Sequence, residues 1–157
     1  MSRVICGFAG HSKVYDSNLE EKIYEKCEEL IIRYKINEFW VGHYGDFDLL
    51  AAKVVNRLKE HYPDIKLILV IPYLVKEIMD NKEEYYKKYD SILIAPIPES
   101  TPQKYRILKC NHFLVNNCSF LITYINYSFG GAWKTLSYAH KRNKSKIFNL
   151  GTIQGYK

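Results

Sequence analysis

The sequence predicts a single-domain α/β protein over residues 1–157, a Rossmann-like three-layer sandwich with a mostly parallel sheet. Three observations predict it. Short β-rich apolar runs alternate with helix-length amphipathic segments, the order that generates right-handed βαβ units. The apolar runs are nearly continuous, as strands buried on both faces are. Finally, six of the eight glycines fall where these runs end, at what would be one rim of the molecule.

The first apolar run is 3–8, "RVICGF", with Gly7 at its end and Gly10 just beyond. A helix over 18–35 follows, with Leu19, Ile23, Cys27, Leu30 and Ile31 on one stripe. The second strand, 38–42, leads through Gly42 and Gly45 into a helix over 46–61. The third strand, 65–71, ends at Pro72, and a more polar helix or helix pair occupies 74–90. The fourth strand, 91–95, is closed by Pro96 and Pro98, and a helix over 101–117 follows. The fifth strand, 119–125, precedes Gly130 and Gly131, a helix over 131–143 and a last strand at 146–150.

Composition narrows the function classes. At 157 residues, 47% apolar and 25% charged, the chain suits one domain with a sizeable core. Net charge is +6, which favours anions, but no dense Lys/Arg block is present. An anionic small ligand is therefore expected over nucleic acid. The stretch "HKRNKSK" (140–146) reads as a solvated helix end, where cations suit the dipole. Cys6, Cys27, Cys110 and Cys118 have no metal-site spacing and read as free, mostly buried thiols. No signal peptide or membrane-length segment is evident, so a cytoplasmic protein without membrane contact is expected. The fourteen tyrosines suit surface or interface cover.

Three rim segments carry the candidate site. In "FAGHSKVYD" (8–16), Gly10, His11 and Ser12 can present N–H groups to a phosphate or ribose, and His11 can stack on a base or donate to a phosphate. In "VGHYGDFDLLAAKVV" (41–55), Gly42, Tyr44 and Gly45 form the turn. One of Asp46 and Asp48 suits a first-turn position of the next helix, and the other can accept ribose hydroxyls. A metal site at His43 with these acids is not expected. In "YSFGGAWKTLSYAHK" (127–141), Gly130 and Gly131 open a helix N-terminus to an anion, Thr135 offers a hydroxyl and Lys134 a charge. This is not a Walker A loop, because Trp133 stands where glycine must precede the lysine.

The order of "GFAGHS", "VGHYGDFDLLAA", "KCNHFLVNNCSFLITYI" and "FGGAWKTLSYAHKRNKSKIFNL" resembles the SLOG superfamily over residues 3–150. That superfamily includes the LOG phosphoribohydrolases, the DprA-type DNA-processing proteins and the YpsA-like proteins, and the motifs look most like the YpsA-like branch. The resemblance implies a nucleotide-type ligand, such as an ADP-ribose, NAD-type or cyclic-nucleotide molecule. It also brings in Asn111, where the YpsA-like branch has an Arg-Asn pair; here Cys110 replaces the arginine, and Arg106 lies one turn earlier. The branch's G-H-R becomes Gly10-His11-Ser12. LOG enzymes carry a catalytic glutamate in P-G-G-x-G-T-x-x-E. Aligned on Thr135, Lys134 stands at the preceding glycine and Tyr138 at the glutamate. N-glycosidic cleavage needs an acid or base beside the leaving ribosyl group, so a binding domain is expected over an enzyme, with no cofactor and no catalytic residue. The alternatives are a phosphoribohydrolase or N-glycosidase using Asp46, Asp48 or Glu99, and DprA-like nucleic-acid binding. A homo-oligomer is expected, with the apolar segment 107–125 as candidate interface.

Overall fold

The computed structural model describes residues 2–153. Six strands, β1 (Ile5–Gly10), β2 (Glu38–Val41), β3 (Lys66–Ile71), β4 (Ser91–Ile94), β5 (Phe120–Tyr124) and β6 (Lys146–Asn149), form one sheet in the order β4-β3-β2-β1-β5-β6. All five pairings are parallel. Helices α1 (Leu19–Tyr34), α2 (Asp46–Leu58), α3 (Lys76–Asp80), α4 (Lys82–Lys88), α5 (Gln103–Asn117) and α6 (Gly130–Arg142) connect them. The polar 74–90 segment is thus a helix pair.

Strand periodicity divides the core into two layers. On β1, Cys6 and Phe8 face a core shared with the α1 stripe Leu19, Ile23, Cys27, Leu30 and Ile31 and with Phe47, Val54 and Val55 of α2. Ile5 and Ala9 face the opposite core, with Cys110, Leu114 and Val115 of α5 and Ala139 of α6. Phe39 and Val41 of β2 point to the first layer and Trp40 to the second. All four cysteines are free and buried, and burial pushes the Cys27 and Cys110 thiols up, the latter to about 12.

One sequence expectation shifts. β1 runs on to Gly10, so Gly7 lies inside the strand rather than at its end. The reason is spatial: a Cβ on Gly7 would stand 2.5 Å from Leu114 Cδ2 and 2.7 Å from Cys118 Sγ. Glycine lets α5 lie directly against β1. Segment 107–125 turns most of its apolar side chains inward: Cys110, Leu114, Val115, Cys118, Leu121 and Ile122 are all buried, and Ile107 is the large hydrophobe left exposed there.

The carboxyl end of β5 is held by a buried asparagine. Asn149 Oδ1 accepts from Thr123 Oγ1 and from the Ile125 amide, each at 2.9 Å. Its Nδ2 donates to the Ile125 and Ile153 carbonyls, each at 3.0 Å. The last described residues thereby clamp the loop that leaves β5.

Candidate functional site

The chain order of the strands reverses between β1 and β5, whose ends pair at Gly10 and Tyr124. In open α/β sheets this switch point leaves a crevice beyond the carboxyl ends of the strands. A cavity of about 270 Å³ occupies it. Ten of the thirteen sequence-derived residues line it: Gly10, His11 and Ser12; Gly42, Tyr44 and Asp48; Asn111; and Gly130, Gly131 and Thr135. Gly45, Asp46 and Lys134 do not.

Those three have other surroundings. Gly45 sits at φ +141°, and a Cβ there would lie 2.5 Å from Ser12 Cα. Glycine permits both the backbone angle and the close approach of the β1 loop. Asp46 ties the same two loops: its carboxylate accepts from the Val14 amide at 3.1 Å, and its own amide donates to the Ser12 carbonyl at 2.9 Å. Lys134 is exposed to solvent at the start of the second turn of α6.

His11 is buried. Its Nε2 accepts the Asn126 amide at 2.8 Å, bridging the β1 and β5 ends. That bond requires the neutral ring with the proton on Nδ1. Burial lowers its pKa from the ordinary value, in the same direction. One face of the ring is covered by Tyr127, at 4.0 Å between centroids and 7° between planes.

Among the described residues Asp48 is the one acid lining the cavity, and no lysine or arginine lines it. Its half-buried carboxyl lies under Gly42, where an added Cβ would stand 3.0 Å from Oδ2. Its hydrogen bond from the Tyr44 amide is long, 3.4 Å. Removal from water, without a cation nearby, pushes its pKa up to about 7. The sign follows from linkage. A carboxyl whose folded pKa is raised favours the fold below its unfolded pKa of 3.8, and this is lost as pH rises through about 7. Asp48→Asn is therefore expected to stabilise the protein by about 1–3 kcal/mol at pH 8, less than the full linkage because cavity water screens the charge. The gain should grow from about pH 4 to pH 7 and then level off, as read by urea unfolding of both proteins at each pH.

The third wall is the start of α6. Its preceding residue, Phe129, is extended, no side chain caps the helix, and its first turn carries no acid. The amides of that turn and the positive dipole end are thus left to whatever occupies the cavity. Gly130 takes φ +89° to turn the chain into the helix. By contrast α2, the other helix starting at this rim beside the cavity, has Asp46 and Asp48 in its first turn. Thr135 is buried, and its hydroxyl donates to the Gly131 carbonyl at 3.0 Å, inside the helix. Arg106 donates to the Glu99 carbonyl at 2.8 Å and does not line the cavity.

Sequence reasoning missed the aromatic wall. Tyr127 and Phe129 line the cavity, as does Ile107. The signal was present in "YSFGG", where two aromatic residues stand in a turn beside the glycine pair. His43 belongs elsewhere: it lines a wider cleft of about 530 Å³ with Glu77, Asn81 and Tyr85, against α3 and α4. Among the described residues its Nδ1 is buried without a hydrogen-bond partner.

No protein-family model matches the chain, and neither does any curated protein. Solved structures do. DNA processing protein A from Streptococcus pneumoniae superposes with a TM-score of 0.71 at 15% identity, over 97% of this chain and 52% of that one. The same protein from Helicobacter pylori, described for its single-stranded DNA binding mode, gives 0.67 at 14%, over 98% and 68%. The Moco carrier protein of Chlamydomonas rheinhardtii gives 0.57 at 12%, over 97% and 79%. The chain spans about half the length of the pneumococcal protein. No described helix is long and apolar enough to cross a membrane. At these identities the likeness establishes architecture alone: a parallel α/β fold shared with the DNA processing proteins and the Moco carrier protein.

Proposed function

We propose that the cavity at the switch point binds a nucleotide-derived small molecule, such as an ADP-ribose, NAD-type or cyclic-nucleotide ligand, and senses or sequesters it. One observation carries this reading: the uncapped, acid-free start of α6 opens through Gly130 and Gly131 into a cavity at the strand-order reversal. A phosphate there would be held by backbone amides and the helix dipole, without any cation. We place the chain nearest the YpsA-like branch on its motifs, and take it to work in the cytoplasm as a homo-oligomer of one domain. We read it as a binder because "FGGAWKTLSYA" holds no carboxylate.

The test is a thermal-shift and calorimetry panel of AMP, ADP-ribose, NAD and cyclic nucleotides. A ligand present at a hundred times its Kd should stabilise the fold by about 2.7 kcal/mol. No shift with any of them at millimolar concentration would sink the proposal. A second reading, nucleic-acid binding, is favoured by the Helicobacter pylori neighbour, whose description names single-stranded DNA. It requires binding that weakens steeply with salt. Absence of any gel shift with single- or double-stranded DNA at low salt would remove it.

A further inference from the structure

We infer that Phe129 is a stacking platform for a planar nucleobase, so that the cavity selects a base-bearing phosphate over a bare sugar phosphate. This deepens the nucleotide-binding reading and rests on it. The observation is a column of three aromatic rings. His11 and Tyr127 stack at 4.0 Å and 7°, and Tyr127 and Phe129 at 4.3 Å and 28°. Exposure rises along the column, from buried His11 through Tyr127 at 42% to Phe129 at 67%. Single exposed aromatic residues are ordinary on protein surfaces. A phenyl ring that ends a near-parallel stack, lines a cavity and immediately precedes an uncapped helix is a different situation.

The column is held by the protein's own contacts. His11 is fixed by its bond from the Asn126 amide, and Tyr127 is held between the His11 and Phe129 rings. Stacking on Tyr127 orients the Phe129 ring and reduces the side-chain freedom to be lost on binding, which favours affinity. Both stacked faces of Tyr127 are occupied within the column, so the next ring must add at Phe129. Every nucleobase has a π-face, so the platform accepts bases without reading their edges. The ligand chemistry that satisfies both features is a phosphate and an aromatic base on one small molecule.

The experiment compares AMP with ribose 5-phosphate by calorimetry on the wild-type chain and on Phe129→Ala and Phe129→Trp. Wild type is expected to bind AMP more tightly than ribose 5-phosphate. Phe129→Ala should weaken AMP on the order of 5- to 150-fold, the range of base–aromatic stacking, and leave ribose 5-phosphate unchanged. Phe129→Trp should retain AMP. Because Phe129 is mostly exposed, its removal should not move the unfolding midpoint. If ribose 5-phosphate binds but AMP binds no tighter, or if Phe129→Ala leaves AMP unaffected, the platform is overturned while the phosphate site stands. If neither compound binds, the platform is overturned as stated, and the wider nucleotide reading falls with it only when ADP-ribose, NAD and the cyclic nucleotides fail as well. If an oligothymidylate binds in a Phe129-dependent way and AMP does not, the platform serves a nucleic-acid strand and the small-molecule assignment is overturned.

Discussion

Asn149→Ala is expected to lower the unfolding free energy by about 3–5 kcal/mol, a large part of the roughly 5–15 kcal/mol of a typical domain. The side chain is buried and serves both as acceptor and as donor. Removing it strands the Thr123 hydroxyl and the Ile125 amide in a dry environment, and takes a donor from the Ile153 carbonyl and from the Ile125 carbonyl, which keeps the Ile153 amide. Each unmet buried group costs about 1–3 kcal/mol, far more than the net value of the bond that was lost. Asn149→Asp separates the two halves of the role. It keeps an oxygen for the amides but loses both donations and sets a carboxylate against the Ile125 carbonyl, so it too should destabilise. Urea unfolding followed by tryptophan fluorescence measures both. A loss under about 1 kcal/mol for the alanine variant would show that water replaces the amide there.

Gly131→Val is expected to reduce AMP affinity more than about 100-fold, equivalent to about 2.7 kcal/mol, with no loss of fold. A Cβ at Gly131 meets no atom within 4 Å, so the fold tolerates it. In a helix, valine is also no worse than glycine in propensity. The same open space is the approach to the α6 amides, and an isopropyl group closes it. Gly130→Ala is a contrasting control. It also meets open space, but at φ +89°, so its cost appears as about 1–2 kcal/mol of backbone strain. Lys134→Ala should change AMP affinity less than about 3-fold, because an exposed ammonium is screened. Thr135→Val should cost stability rather than binding, about 0.5–1.5 kcal/mol, since its hydroxyl is engaged with the Gly131 carbonyl. Normal AMP binding by Gly131→Val would move the phosphate site away from α6.

The element order could be read from the sequence because strands such as "KLILVI" carry their burial on both faces as an unbroken apolar run. The β1 end could not. A glycine inside a strand looks like a terminus unless the helix crossing above it is known, and that helix begins almost a hundred residues later. The glycine pairs were legible as a site, since they follow strands and precede helices. The competition between Asp46 and Asp48 was not, because two positions in the first turn of one helix offer a loop tie and a cavity position. Thr135 misled for a related reason: in a helix a threonine hydroxyl can face a ligand or bond back to the carbonyl one turn earlier, and here it does the latter. The aromatic column needed three dimensions, since it joins His11 to residues more than a hundred positions away.

Gly7 has a bearing on ligand size that its distance from the cavity conceals. Leu114 of α5 and Cys118, just past its end, rest against it, while Asn111 and Ile107, one and two turns further up the same helix, line the cavity. The contact at Gly7 is thus a fulcrum, and the wall above it is the arm. A methyl group placed under the fulcrum would press α5 away from β1, and the wall above would move with it. The gauge of this binding crevice is set from beneath by a residue that no ligand would touch.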